Sequence, residues 1–232
     1  MAKHKRDKSR HNKVAILFDL DGTLIDSVYQ HVLAWGEALH DAKVELPNWM
    51  IHRKIGMSDQ LIVKAFLRDA EAHLSSKQIE RLREIHGEAY AKRAPEVRPL
   101  QGARKLLSTL LRAGIPHAIA TSSPREHAER FLRMLHIDPR LPVITGDEVS
   151  KAKPEPDLFL AAADRLDAKM ENCMVVGDSV WDLLAAKRAR AVGVGLLCGG
   201  FGQDELERAG AYRVYAGPAD LLAHLDEIGV QL

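Results

Sequence analysis

The chain has 232 residues, 46% hydrophobic and 28% charged, with a net charge of +1. That length holds a substantial core and fits one large domain or a domain carrying an insertion. No apolar run reaches the roughly 18 residues a membrane span needs, and Cys173 and Cys198 lie in or beside apolar runs, as small buried hydrophobes do. The expectation is a cytoplasmic, disulfide-free protein.

Charge is unevenly placed. Residues 1–13 hold six Lys or Arg against Asp7, which reads as a basic disordered tail. It is not a secretory signal, because only five apolar residues follow Lys13 before Asp19. The remaining chain is net acidic by four charges, unlike a nucleic-acid-binding body. Neither nucleic acid nor a membrane is expected as partner, and a monomer fits.

Taking the chain in order, residues 14–18 form a short apolar strand buried on both faces, ending on Asp19 and Asp21. If the chain stays extended, both carboxylates point to one side, and Gly22 permits a tight turn. Two such charges ~4 Å apart repel by about 4 kcal/mol at a protein-like dielectric, so a divalent metal is the first inference. The pair alone also fits a solvated acidic turn.

Asp26-Ser27 caps a helix over residues 28–39, with Val28, Val32, Trp35 and Leu39 on its inner face. After a break at Pro47, a second helix starts at Ser58 with Leu61, Ile62, Ala65 and Phe66 on one face. A third runs from Ser75 or Ser76 to about Arg93, so residues 26–94 read as helical throughout.

From Pro95 the texture alternates. Helices are expected to Leu111, over 125–135, 157–166, 181–190 and 221–228, with strands over 115–120, 143–145, 174–177 and 192–197. This is the pattern of an α/β domain with a parallel sheet. The helical insertion leaves that sheet just after Asp19 and Asp21 and should arch over them.

Later strands end on residues suited to the same place. Thr121-Ser122-Ser123 offers a hydroxyl and amides for phosphate oxygens, or a helix cap before Pro124. The loop around Lys153, stiffened by Pro154 and Pro156, can aim a lysine inward or leave a solvated lysine pair. Asp178 follows a buried strand as a further metal ligand. Asp182, one helical turn on, could hold Asp178 or a metal-bound water, or serve the helix dipole.

Together these residues resemble the motifs of the haloacid dehalogenase-like hydrolase superfamily, in its phosphoglycolate phosphatase and β-phosphoglucomutase-like group. Asp19-Leu-Asp21-Gly-Thr23-Leu looks like the first motif, Thr121 the second, Lys153 the third and Gly177-Asp178-Ser-Val-Trp-Asp182 the fourth. The resemblance implies a Rossmann-like parallel-sheet core (14–25 and 95–232) with an inserted all-helical cap domain (26–94). It also implies Mg²⁺ and a phosphoaspartate on Asp19. Asp19, Asp178 and the Asp21 carbonyl would hold the metal, Asp21 would act as acid and base, and Thr121, Ser122 and Lys153 would hold phosphate.

The expected activity is a phosphatase of a small phosphorylated metabolite, a sugar phosphate or phosphoglycolate-like molecule. In the cap, His31 would face the substrate. Residues 53–58 look like the family's specificity loop, with Gly56 allowing close approach and Arg53 or Lys54 binding an acidic or hydroxyl-rich group. Dehalogenase members lack a second acid like Asp21, which disfavours that chemistry; a Schiff-base role for Lys54 matches poorly. A hexose-phosphate mutase is the alternative enzyme, against which Asp59 and Pro124 stand where mutases carry cations. A non-catalytic metabolite-binding protein is the other alternative. Hinges for cap movement are expected near residues 25–26 and 96–99.

Overall fold

The computed structural model describes residues 14–232, so the basic tail lies outside the described residues. The strands are β1 (Ala15–Phe18), β2 (Ile25–Asp26), β3 (Arg98–Pro99), β4 (His117–Ala120), β5 (Val143–Ile144), β6 (Cys173–Gly177), β7 (Val192–Leu196) and β8 (Ala211–Tyr215). The helices are α1 (Val28–Asp41), α2 (Asn48–His52), α3 (Asp59–Asp69), α4 (Ser76–Arg93), α5 (Ala103–Arg112), α6 (Arg125–Leu135), α7 (Asp157–Arg165), α8 (Val180–Ala189), α9 (Gln203–Ala209) and α10 (Pro218–Ala223).

Six strands form one parallel sheet in the order β5-β4-β1-β6-β7-β8. The fold is α/β and Rossmann-like, with helices on both faces. β1 shows why its sequence is apolar throughout. Ile16 and Phe18 pack with Ile119, Val176 and Val194 on one side, while Ala15 and Leu17 pack with Ala118 and Val175 on the other. Strand order reverses about β1, which is where open α/β sheets place ligands. Asp19, Thr121 and Asp178 each follow immediately after the last residue of β1, β4 and β6, so parallel pairing alone delivers them to one edge.

Between β2 and β3 lie the four helices α1–α4, with a core of their own around Trp35, Leu39, Ile51, Phe66 and Leu82. Trp35 meets Phe66 edge-on at 5.4 Å between ring centres. In α3 the inward positions are Ile62, Val63, Ala65 and Phe66; Leu61, expected there, is half-buried. The chain enters and leaves this segment through a two-stranded antiparallel ribbon pairing Ile25 with Pro99 and Asp26 with Arg98.

Several elements depart from the sequence pattern. Pro47 precedes α2 in extended conformation rather than merely breaking the chain, and a five-residue helix is too short to show periodicity. α9 and β8 have no counterpart among the expected elements; β8 is an edge strand whose Tyr212 and Arg213 are exposed, so its sequence lacks the apolar run of a buried strand. The closing helix starts earlier, at Pro218, and passes at His224 into a separate 3-10 turn over Leu225–Ile228. β1 stops at Phe18, and a tight loop follows in which the Gly22 amide donates to the Ile25 carbonyl at 2.8 Å.

Candidate active site

Four carboxylates and one lysine converge at the carboxyl edge of the sheet. Asp19, Asp178, Asp182 and Lys153 are at most 4% exposed. Lys153 Nζ donates to Asp19 Oδ1 at 2.5 Å and to Asp182 Oδ1 at 2.9 Å. The other Asp182 oxygen accepts from the Ser179 amide at 3.1 Å and hydroxyl at 2.5 Å, closing the first turn of α8. Asp178 Oδ1 accepts from Thr23 Oγ1 at 2.8 Å.

Backbone shape holds Asp178 in place. Gly22 has a φ of +82°, and a Cβ there would lie 2.4 Å from Asp178 Oδ2. At Gly199 a Cβ would lie 1.8 Å from the same oxygen. Only glycine admits the carboxylate at this approach.

Asp21 faces the same cavity as Asp19. It accepts from Ser27 Oγ at 2.7 Å, Ser123 Oγ at 2.9 Å and Thr121 Oγ1 at 3.3 Å, with His31 Nε2 3.6 Å from Oδ1. Burial alone would raise its pKa, but His31, Ser27 and Ser123 outweigh burial and hold it below the usual carboxylate range. Asp19 behaves oppositely: burial, with Asp182 and Asp21 adding to it, outweighs Lys153 and pushes it up to about 7. Asp178 is likewise raised by burial, Asp182 and Asp19. Burial works against the charge on Lys153 too, yet Asp182 and Asp19 hold its pKa above that of an ordinary lysine.

The carboxylates thus outnumber the positive charge available to them. Oxygen atoms of Asp19, Asp178 and Asp182 lie within 4.8 Å of one another, and a hard all-oxygen donor set of this kind suits a hard divalent cation. Asp182 is committed to Lys153 and Ser179, which leaves Asp19 and Asp178 as the pair open to a cation.

Above this floor, α1 and α4 supply an aromatic stack. His31 lies on Tyr90 with ring centres 3.9 Å apart, and His86 lies on Trp35 at 3.8 Å. His31 Nδ1 is 3.4 Å from His86 Nε2. Sequence reasoning missed His86, although it sits four residues from both Leu82 and Tyr90 and so falls on the inner stripe of α4. The cavity, about 50 Å³, is floored by Asp19, Asp21, Thr121, Ser122, Ser123 and Lys153.

The loop after α2 divides. Gly56 lines the cavity at a φ of +95°, where a Cβ would lie 2.8 Å from Ser179 Oγ. The structure does not bring Arg53 and Lys54 to the cavity, because each has found a carboxylate elsewhere. Arg53 pairs with Glu205 and lies over the Phe201 ring at 4.1 Å, while Lys54 pairs with Asp69 at 2.8 Å. Trp181 Nε1 donates to the Arg53 carbonyl at 3.2 Å, and His52 Nε2 is 2.8 Å from the Gly199 carbonyl oxygen. The Ser58 amide donates to the Lys153 carbonyl at 3.0 Å. The insertion is thereby fastened to the sheet domain beside the metal-ligand candidates.

The model of the haloacid dehalogenase-like hydrolase family matches residues 14–190. The chain belongs to this family. It is a hydrolase, and phosphatases stand among its curated relatives. Over 186 residues it is 33% identical to validoxylamine A 7'-phosphate phosphatase of Streptomyces hygroscopicus subsp. limoneus, covering 79% of this chain and 85% of that one. It is 30% identical to the β-phosphoglucomutase of Bacillus subtilis, covering 78% and 83%. Among solved structures, a hydrolase from Pseudomonas syringae superposes with a TM-score of 0.90 at 49% identity, covering 93% of this chain and 99% of that one. No helix among the described residues is long and apolar enough to cross a membrane.

Proposed function

We propose that this hydrolase is a Mg²⁺-dependent phosphatase that cleaves a small phosphorylated metabolite, of sugar phosphate or phosphoglycolate size, through a phosphoaspartate on Asp19. The observation that carries the reading is the pairing of unlike acids in one cavity: Asp19 bonded to Lys153, and Asp21 held by Ser27, Ser123 and His31.

Asp19 attacks phosphorus, forming an acyl phosphate as the ester P–O bond breaks. Asp21 gives its proton to the departing alkoxide oxygen, then takes one from the water that attacks the acyl phosphate and frees inorganic phosphate. His31, Ser27 and Ser123 hold its proton affinity low in the free site, and an incoming phosphate beside it raises that affinity, so Asp21 takes up a proton from solvent as substrate binds and serves as the acid. Lys153 offsets charge on Asp19 and the phosphoryl oxygens, and Thr121 with the Ser122 amide holds those oxygens. Asp19, Asp178 and the Asp21 carbonyl would hold Mg²⁺, which supplies charge neutralisation at the phosphoryl group.

Residues 26–94 act as the cap that covers the reaction, moving about residues 25–26 and 96–99. The ribbon of Ile25 and Asp26 with Pro99 and Arg98 supports that hinge. Two free cysteines support a reducing, cytoplasmic setting. A mutase must seat a second phosphate, and Pro124 serves here as the residue before α6 rather than as a cation. A pure binder has no use for Asp21 as an acid.

The test is phosphate release from a panel of phosphorylated sugars and short organic acids with Mg²⁺, wild type beside Asp19→Asn. Release that disappears in the folded variant supports the reading. Undiminished release from Asp19→Asn overturns the phosphoaspartate.

A further inference from the structure

We infer, building on the phosphatase reading, that the substrate is the monophosphate ester of a neutral, hydroxyl-bearing alcohol with no second anionic group. The wall that the helical insertion turns toward the alcohol side is made of His31, Trp35, Ile55, Met57, Ile62 and His86. Among the described residues lining the cavity, Lys153 is the one lysine or arginine, and it is already bonded to Asp19 and Asp182.

Of the cations next to this wall in sequence, Arg53 is closed off by Glu205 and Lys54 by Asp69, while Lys64, two residues from Ile62, is exposed and does not line the cavity. Neither histidine replaces them. His31 Nε2 faces Asp21 at 3.6 Å and is engaged by that carboxylate. Burial, with His31 and His127 beside it, holds the His86 pKa well below the usual histidine value.

A carboxylate or second phosphate on the leaving alcohol would shed its water against this wall and find no unpaired lysine or arginine lining it. A neutral carbon chain packs on Ile55, Met57 and Ile62. Its hydroxyls meet the polar edge of His86 and the Ser122 hydroxyl, the arrangement of an apolar pocket with a few placed polar groups.

The test compares kcat/KM for two esters of matched size, glycerol 3-phosphate and 3-phosphoglycerate, which differ by a hydroxymethyl against a carboxylate. p-Nitrophenyl phosphate serves as the activity control. Glycerol 3-phosphate is expected to lead by about ten-fold or more, and Met57→Lys, which places a cation in the wall, to narrow that ratio. Hydrolysis of the aryl ester together with equal or faster cleavage of 3-phosphoglycerate overturns the inference and leaves the phosphatase reading standing. No release from any of the three overturns that reading, and the inference with it.

Discussion

Lys153 donates to Asp182 Oδ1 at 2.9 Å in a contact where neither side chain is more than 1% exposed. The carboxylate one turn beyond Asp178 therefore positions a lysine, and through it Asp19, rather than standing open to a cation. Its second oxygen closes the first turn of α8 through Ser179, so one side chain ties the third motif, the nucleophile candidate and a helix start together.

Asp182→Ala removes one partner of that buried pair and leaves a lysine without its full charge complement. Unfolding in urea should show a loss of about 3 kcal/mol, and phosphate release should fall sharply as Asp19 loses its fixed geometry. A stability within 1 kcal/mol of wild type, roughly the worth of an exposed pair, would sink this account.

Gly199→Ala tests the approach of backbone to Asp178. Its Cβ would lie 1.8 Å from Asp178 Oδ2, so the carboxylate must move. The Mg²⁺ concentration for half-maximal activity is expected to rise on the order of ten-fold, the usual cost of disturbing a group that orients a ligand. Circular dichroism should show the fold intact, and an unchanged Mg²⁺ titration would contradict the assignment of Asp178.

His86 links the site to pH. Unfolded, it takes up a proton below about pH 6.5; folded, burial and the neighbouring His31 and His127 keep it neutral. The unfolded chain then binds more protons, so stability falls as pH falls below that value. In His86→Phe the decline should be shallower by up to about 1.4 kcal/mol per pH unit. Urea midpoints between pH 5 and 8, at roughly half-unit steps, measure the difference. Parallel curves for the two proteins would place the acid sensitivity elsewhere.

Arg53 and Glu205 should show coupling of about 0.5–1 kcal/mol in a double-mutant cycle, as expected for a pair about 30% exposed, with the Phe201 face adding to Arg53 alone. Because the contact fastens the insertion to the sheet domain, Arg53→Ala is also expected to speed amide exchange over residues 53–58 and raise KM. If exchange there is unchanged, the contact plays no part in holding the two together.

Much of the molecule was legible in local pattern. The doubly buried run before Asp19, the run before Asp178 and the alternation after Pro95 located β1, β6 and the parallel architecture. Strand ends necessarily collect at one edge of such a sheet, so Asp19, Thr121 and Asp178 could be assigned to one site without coordinates. Elements too short or too polar to carry a period, α2, α9 and β8, left no comparable trace.

The sequence by itself determined the fold class and the acid-rich floor, because those follow from hydrophobic period and from which residues end the strands. Only the tertiary structure decided which side chains line the cavity opposite that floor. Charge pairing between segments 152 residues apart, Arg53 with Glu205, and packing of α1 on α4, which brings His86 against His31, depend on long-range contacts that no local pattern encodes. Those contacts hold Arg53 away from the cavity and set the rings of His31, Trp35 and His86 along it.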